Sequence, residues 1–441
     1  MPAFETAPGA PPGADASDTD AYVADFAAFI QASPSSYHAA AEVARRLDAA
    51  GFERLDERDE WPSTPGGKVV VRDGGVIAWV QPDAATPTTP FRILGAHTDS
   101  PSFKLKPNPT STAGGLLQAG VEVYGGPLLN SWLDRELELA GRIVTTDGTE
   151  HLVRTGPMLR IPQLAIHLDR DVNKGLTLDK QRHMQPVWGA AGGTATGADL
   201  LVQAASAAGV EADSVAGYDL LLADTQPPAR FGLDAAFFAA GRMDNLTSVY
   251  AGLVALLAAP GDARHISVLA AFDHEELGSE SRSGASGPLL EDVLVRVSAG
   301  LGAGDIEQRR AFAASWILSS DAGHAVHPNY AERHDPANQP VLGGGPLLKL
   351  NANQRYASDA VGAALWSEIC RRAGVPTQPF VSNNAIPCGS TIGPLSATRL
   401  GIRTVDVGTP LLSMHSAREL AHVDDLVALG TAVTAFFAPA A

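Results

Sequence analysis

The chain has 441 residues, 45% of them hydrophobic and 18% charged, enough for one large α/β domain or two ordinary ones with a sizeable core. Its 49 Asp and Glu outweigh 32 Lys and Arg, for a formal charge of -17, which excludes a basic stripe for nucleic acid or an anionic membrane. Two cysteines, Cys370 and Cys388, are too few for a disulfide framework and read as free thiols of a reducing compartment.

Residues 1–18 are rich in Pro, Ala and Gly, read as disordered, and lack the basic start and apolar core of a signal peptide. The longest apolar stretch, "AGLVALLAAP", is half of what a membrane span needs, so the expectation is a soluble, cytoplasmic protein. "DAYVADFAAFIQA" and "SYHAAAEVARRLDAAG" predict amphipathic helices, the second closed by Gly51. "KVVVRDGGVIAWV" predicts a hairpin around Asp73 and Gly74, and "FRILGAHTDS" a strand running into a polar tip. From 106 to 238 short runs alternate apolar and polar residues, as antiparallel β-structure does; a Gly-rich loop and a helix interrupt them near 190–210.

An α/β rhythm then returns. "MDNLTSVYAGLVALLAA" predicts a helix, "HISVLAAFD" and "ASWILSSD" buried strands, and "SDAVGAALWSEICRRAG" a helix with Ser358 as N-cap and Gly374 as C-terminal cap. "TRLGIRTVDVG" leads into a further strand, and "VDDLVALGTAVTAFFA" ends the chain as a helix. The simplest organisation is a discontinuous α/β domain, 19–105 and 239–441, holding an inserted β-rich domain at 106–238.

Four apolar runs end in acids or histidines: "RILGAHTD" with His97 and Asp99, "VLAAFDHEE" with Glu275 and Glu276, "WILSSDAGH" with Asp321 and His324, and "LLSMHS" with His415. A further polar cluster, "GRMDN", puts Asp244 at a helix start. Open α/β sheets bind ligands beyond the carboxyl ends of their strands, where these groups would gather. A histidine and carboxylate set without cysteine suits zinc, manganese or cobalt, and carboxylates can bridge two ions. On an extended backbone Glu275 and Glu276 point to opposite faces, which separates a metal ligand from a general base. Nucleophile elbow, phosphate loop and C-x-x-C pair are all absent; Cys388 reads as a packed small hydrophobe.

Together, "GAHTDSPSFKLKP", "GRMDNLTSVYA", "FDHEELGS", "SSDAGHAVHPNY", "LKLNANQRYASDA", "PCGSTIGP" and "VGTPLLSMHSARE" resemble the aspartyl aminopeptidase family, in the family's order from about residue 20 to the end. These are dinuclear zinc exopeptidases that remove N-terminal Asp or Glu from peptides. The resemblance implies a mixed central sheet flanked by helices, with the insertion as a dimerisation domain, and a dodecamer built of dimers. It implies Asp244 as the bridging metal ligand, with His97 and Asp321 on one divalent ion and Glu276 and His415 on the other, most plainly zinc. Glu275 is then the general base for the attacking water, and Asp99 orients His97 from behind. Lys349 and Tyr356 would contact the substrate's acidic side chain, with His324 as a further site histidine. His167, in "LAIHLDR", would reach the neighbouring subunit's site. From pattern alone, Lys349 reads equally as an edge-strand lysine, and His167 as an ordinary strand histidine. Two other readings stay open: a dinuclear aminopeptidase of neutral specificity or a related deacylase, and a metal-binding protein that no longer catalyses.

Overall fold

The computed structural model describes residues 16–192 and 198–439. Of the segment expected to be disordered, 16–18 already belong to the first helix, Ala16–Ala32, and 1–15 lie outside the described residues, as does part of the Gly-rich loop at 193–197.

Nine strands form one mixed sheet in the order Glu53–Arg54, Gly66–Arg72, Gly75–Gln81, Ile266–Phe272, Phe91–His97, Trp316–Ser320, Arg403–Gly408, Leu347–Lys349 and Gln378–Phe380. The middle four run parallel, and all seven residues of Ile266–Phe272 are buried, which is why they read as a continuous apolar run. Successive residues serve opposite faces: Leu94, Leu269 and Leu318 pack with the helices Ser36–Ala49, Met243–Leu257 and Val423–Phe437. Their neighbours Ile93, Val268 and Ile317 pack with Leu289–Gly300 and Ile392–Leu400. Gly252 sets how near the helix Met243–Leu257 comes, since a Cβ there would stand 2.4 Å from Leu94 Cδ2 and 2.6 Å from Leu269 Cδ1. The expected hairpin forms with a two-residue turn at Asp73 and Gly74, since Arg72 pairs with Gly75.

A second, antiparallel sheet of six strands has the order Glu150–Arg154, Leu137–Thr145, Val215–Asp224, Ser102–Ala113, Leu116–Tyr124 and Val187–Ala190. It carries its own core of Phe103, Leu139, Leu220 and Leu200, the last from the helix Leu200–Ala208. The position expected as a domain boundary, 105/106, lies inside the strand Ser102–Ala113. Polar side chains tie this sheet to the rest of the chain: Arg142 Nη1 lies 3.0 Å from Oδ1 of Asp73 in the hairpin turn, and Arg154 Nη1 donates at 2.6 Å to the carbonyl of Gln31 in the first helix. Three further strands, Ala229–Phe231, Phe237–Ala240 and Glu419–His422, make a small antiparallel sheet.

One local expectation changes. The helix Ala360–Ala373 is capped by Asp359, whose carboxylate accepts from Gly362 N–H, whereas Ser358 Oγ accepts from Asp406 N–H and joins the helix to the sheet. No helix of the described residues is long and apolar enough to cross a membrane.

Candidate metal centre

Because Phe91–His97, Ile266–Phe272 and Trp316–Ser320 are parallel neighbours, their carboxyl ends open on one edge of the sheet. His97 ends the first, Glu275 and Glu276 follow the second, and Asp321 follows the third. Asp244 comes from the helix Met243–Leu257, where its own φ of -81° and ψ of 100° are not helical, so the chain is held off the helix path there. His415 comes from the loop before Glu419–His422.

The donor atoms of these groups converge. His97 Nε2 lies 3.3 Å from Asp244 Oδ1 and 3.5 Å from Asp321 Oδ1. His415 Nε2 lies 3.3 Å from both Asp244 Oδ2 and Glu276 Oε1. Asp244 thus faces one histidine with each carboxylate oxygen. Within each of three groups, His97–Asp244–Asp321, Asp244–Glu276–His415 and His97–Glu275–Glu276, the donor atoms lie within 4.8 Å of one another.

The expected orientation of the two glutamates changes in its cause. They sit in a single 3-10 turn, Glu275–Leu277, after His274 at φ 62°, so no extended backbone turns them apart, and both reach the vicinity of His97. Asp99 holds this turn: its Oδ1 accepts from Glu275 N–H at 3.0 Å and its Oδ2 from Glu276 N–H at 3.2 Å. His97 Nδ1 is closer to the Asp99 carbonyl oxygen, at 3.1 Å, than to its carboxylate, at 3.5 Å. His274 makes a 2.9 Å hydrogen bond to Ser281 and belongs to none of the donor groups.

Lys349 is 1% exposed and lies on the strand next to the sheet edge, not on the edge strand itself. Its Nζ lies 3.3 Å from Asp321 Oδ2, 2.7 Å from the Ala322 carbonyl oxygen, and 5.5 Å from the Tyr356 ring centre. Tyr356 and His324 line a cleft of about 290 Å³ together with His327, Arg333, His334 and Met414, the neighbour of His415. Among the described residues, no Asp or Glu lines that cleft. His167 lies in an exposed turn and not in a strand. Cys388 is half-buried beside Tyr356 and Phe380, and Cys370 is buried.

Glu419 is a site residue that sequence reasoning passed over. It is 2% exposed, its Oε2 accepts from Asp244 N–H at 3.1 Å and its Oε1 from His415 N–H at 2.9 Å. It lay inside a quoted motif, but nothing in an acid that starts a short strand points to backbone donors from two distant segments.

The electrostatics show what these donors want. Burial opposes a charge on His97, yet the carboxylates of Asp244, Asp321 and Asp99 outweigh it and raise the imidazole well above its ordinary value. Burial likewise opposes His415, and Asp244 and Glu276 lift it to about 10. Burial, and then Asp244, raises Glu276 well above the carboxylate range. Burial chiefly raises Glu275 to about 7; His97 opposes this, and the Asp321 and Asp244 charges add to it. Without cations, this set settles its crowded charges by holding protons, which divalent ions would displace. Asp244 Oδ1 and Glu276 Oε1 are also buried with no hydrogen-bond partner among the described residues, an arrangement that costs free energy unless something else satisfies the oxygens. Imidazole and carboxylate donors without thiolate fit zinc.

Comparison with known proteins follows the same line. The family described as "Aminopeptidase I zinc metalloprotease (M18)" matches residues 29–437. A "Probable M18 family aminopeptidase 2" of Streptomyces avermitilis is 55% identical over 418 residues, 93% of this chain and 96% of that protein. The fold superposes with a TM-score of 0.92 and 34% identity on a chain of the "Cryo-EM structure of the Ape4 and Nbr1 complex", covering 97% of this chain and 87% of that one. It superposes with a TM-score of 0.82 and 30% identity on the "S. cerevesiae mApe1 dodecamer", covering 95% and 96%.

Proposed function

The chain belongs to the M18 family of zinc aminopeptidases, and from that membership we propose that it removes N-terminal aspartate or glutamate from peptides at a centre of two divalent metal ions. The observation that carries the reading is the position of Asp244, with one carboxylate oxygen toward His97 and the other toward His415. Asp244 would bridge, His97 and Asp321 would complete one ion's protein ligands, and Glu276 and His415 the other's. The ions would supply Lewis-acid chemistry, acidifying water and polarising the scissile carbonyl.

The chain's own groups do the rest. Glu275, in the same turn as Glu276, takes the proton of the attacking water and returns it to the leaving amine. Asp99 holds the turn that aims Glu275, through the two backbone N–H groups.

Acidic selectivity is supported by the cleft beside His415: in a chain of charge -17 it is lined by Arg333 and three histidines and, among the described residues, by no acid. Lys349, with Tyr356 beneath its ammonium, would provide the cation for the substrate's carboxylate, and His324 a further contact. We read 19–105 and 239–441 as the catalytic body and 106–238 as an inserted unit through which copies of the chain pair into dimers and then a dodecamer. Supporting this, the exposed turn around His167 also exposes Leu164, Ile166 and Leu168 at 57%, 49% and 75%, which is costly on a free surface. His167 would complete a neighbour's site. Two free cysteines support a cytoplasmic setting.

The test is metal content per chain together with hydrolysis of Asp-, Glu- and Leu-anilides, before and after chelation. Two ions per chain, loss of activity on chelation, and a preference for the acidic anilides of about tenfold or more are expected. Preference for leucine would sink the acidic reading; full activity in metal-free protein would sink the metal mechanism.

A further inference from the structure

The six-stranded sheet delivers one of its connections directly onto the metal centre of its own subunit. Tyr124 ends the strand Leu116–Tyr124, is 9% exposed, and donates its hydroxyl to Asp99 Oδ2 at 2.9 Å. Asp99 is the carboxylate that holds the backbone of Glu275 and Glu276. Gly125 follows at φ +69°, where a Cβ would stand 3.1 Å from Glu276 Cβ, so a side chain there is both strained and crowded. The Gly126 carbonyl accepts from His415 Nδ1 at 3.0 Å, which leaves Nε2 free to face Asp244 and Glu276. Beyond it, Leu128 N–H donates to the His415 carbonyl at 2.9 Å, and Ser131 Oγ accepts from Ala417 N–H at 2.9 Å.

We propose that the segment 124–131 is a positioning element for metal binding, acting on Glu275 and Glu276 through Asp99 and on His415 through Gly126. The six-stranded unit is then part of the metal centre of its own chain, apart from any role in assembly. The turn that carries Glu275 and Glu276 and the loop that carries His415 both rest against one short connection. This inference rests on the metal reading above.

Tyr124→Phe removes one oxygen and keeps the ring, and Ser131→Ala removes the acceptor on the other arm without touching a metal-facing residue. Zinc affinity is measured on the full-length enzyme by competition with a chromogenic chelator, alongside kcat and KM on Asp-anilide and assembly size. Each variant is expected to bind zinc about tenfold more weakly, as loss of a group orienting a ligand does. kcat should fall while KM and assembly size stay within about twofold of the unaltered enzyme. If one variant fails to fold, the other decides. An unaltered enzyme that holds zinc, with both variants binding it equally well, overturns this inference alone. An unaltered enzyme that holds no metal overturns the metal reading and this inference together.

Discussion

Lys349 reaches Asp321 inside the sheet: its ammonium nitrogen lies 3.3 Å from Asp321 Oδ2, and the lysine is 1% exposed. The same Asp321 turns its other oxygen toward His97, so one carboxylate joins the Lys349 ammonium to the His97 imidazole. Lys349→Met should lower kcat/KM on Asp-anilide by about 100-fold or more, the scale of a lost charge-assisted contact, while Leu-anilide falls by less than about tenfold. Equal losses on both substrates would assign Lys349 to holding Asp321 in place and not to reading the substrate.

Glu275 and Glu276 share a turn but are expected to fail differently. Glu275→Gln should lower kcat by about 1000-fold and leave zinc content unchanged, because the amide keeps the shape but takes no proton. Glu276→Gln should lower zinc content itself, because Glu276 Oε1 faces His415 at 3.3 Å. Metal analysis of both purified variants separates the roles. A Glu275→Gln enzyme with full activity would refute the base assignment.

Glu419 accepts two backbone N–H groups, at 3.1 Å from Asp244 and 2.9 Å from His415. Removing it strands a buried donor at Asp244 and a partly buried one at His415, each worth about 1–3 kcal/mol. Glu419→Ala should therefore cost about 3 kcal/mol in urea unfolding of the chelated protein, and Glu419→Gln, which keeps one acceptor, less than half of that. Equal stability of all three proteins would show that water satisfies these donors and that the carboxylate is dispensable.

Much of this site was legible because apolar runs that stop at His97, Glu275 and Asp321 mark parallel strands, whose carboxyl ends must share an edge. The rest depends on partners far along the chain. Asp99 and Glu275 are 176 residues apart, and only the folded chain shows that the acid holds the turn by its backbone. An extended strand would turn Glu275 and Glu276 apart, but His274 at φ 62° ends the strand first and a 3-10 turn follows. Lys349 read equally as an edge-strand lysine, and only the outermost position of Gln378–Phe380 rules that out. The domain that carries Tyr124 read as a separate body for assembly; its contact with Asp99 needed the tertiary structure.

Away from the centre, His265 makes stability depend on pH in a fixed direction. It is 4% exposed, and its Nε2 donates to the Phe437 carbonyl at 3.0 Å, at the end of the last helix. Burial first, and then the Arg92 guanidinium, pushes its imidazole from 6.5 down to about 4. Above pH 6.5 the ring is neutral in both folded and unfolded chains, so the full stability is present. As pH falls from 6.5 toward 4 the unfolded chain takes up a proton that the folded chain refuses, and stability is lost across that window, by about 3 kcal/mol at most. His265→Gln keeps a donor for the carbonyl and removes the titration. Urea unfolding of both proteins with chelator present, at pH 7 and pH 5, should show the smaller loss on acidification in the variant. An identical loss in the two proteins would mean that His265 is charged in the fold and that the acid sensitivity of the last helix arises elsewhere.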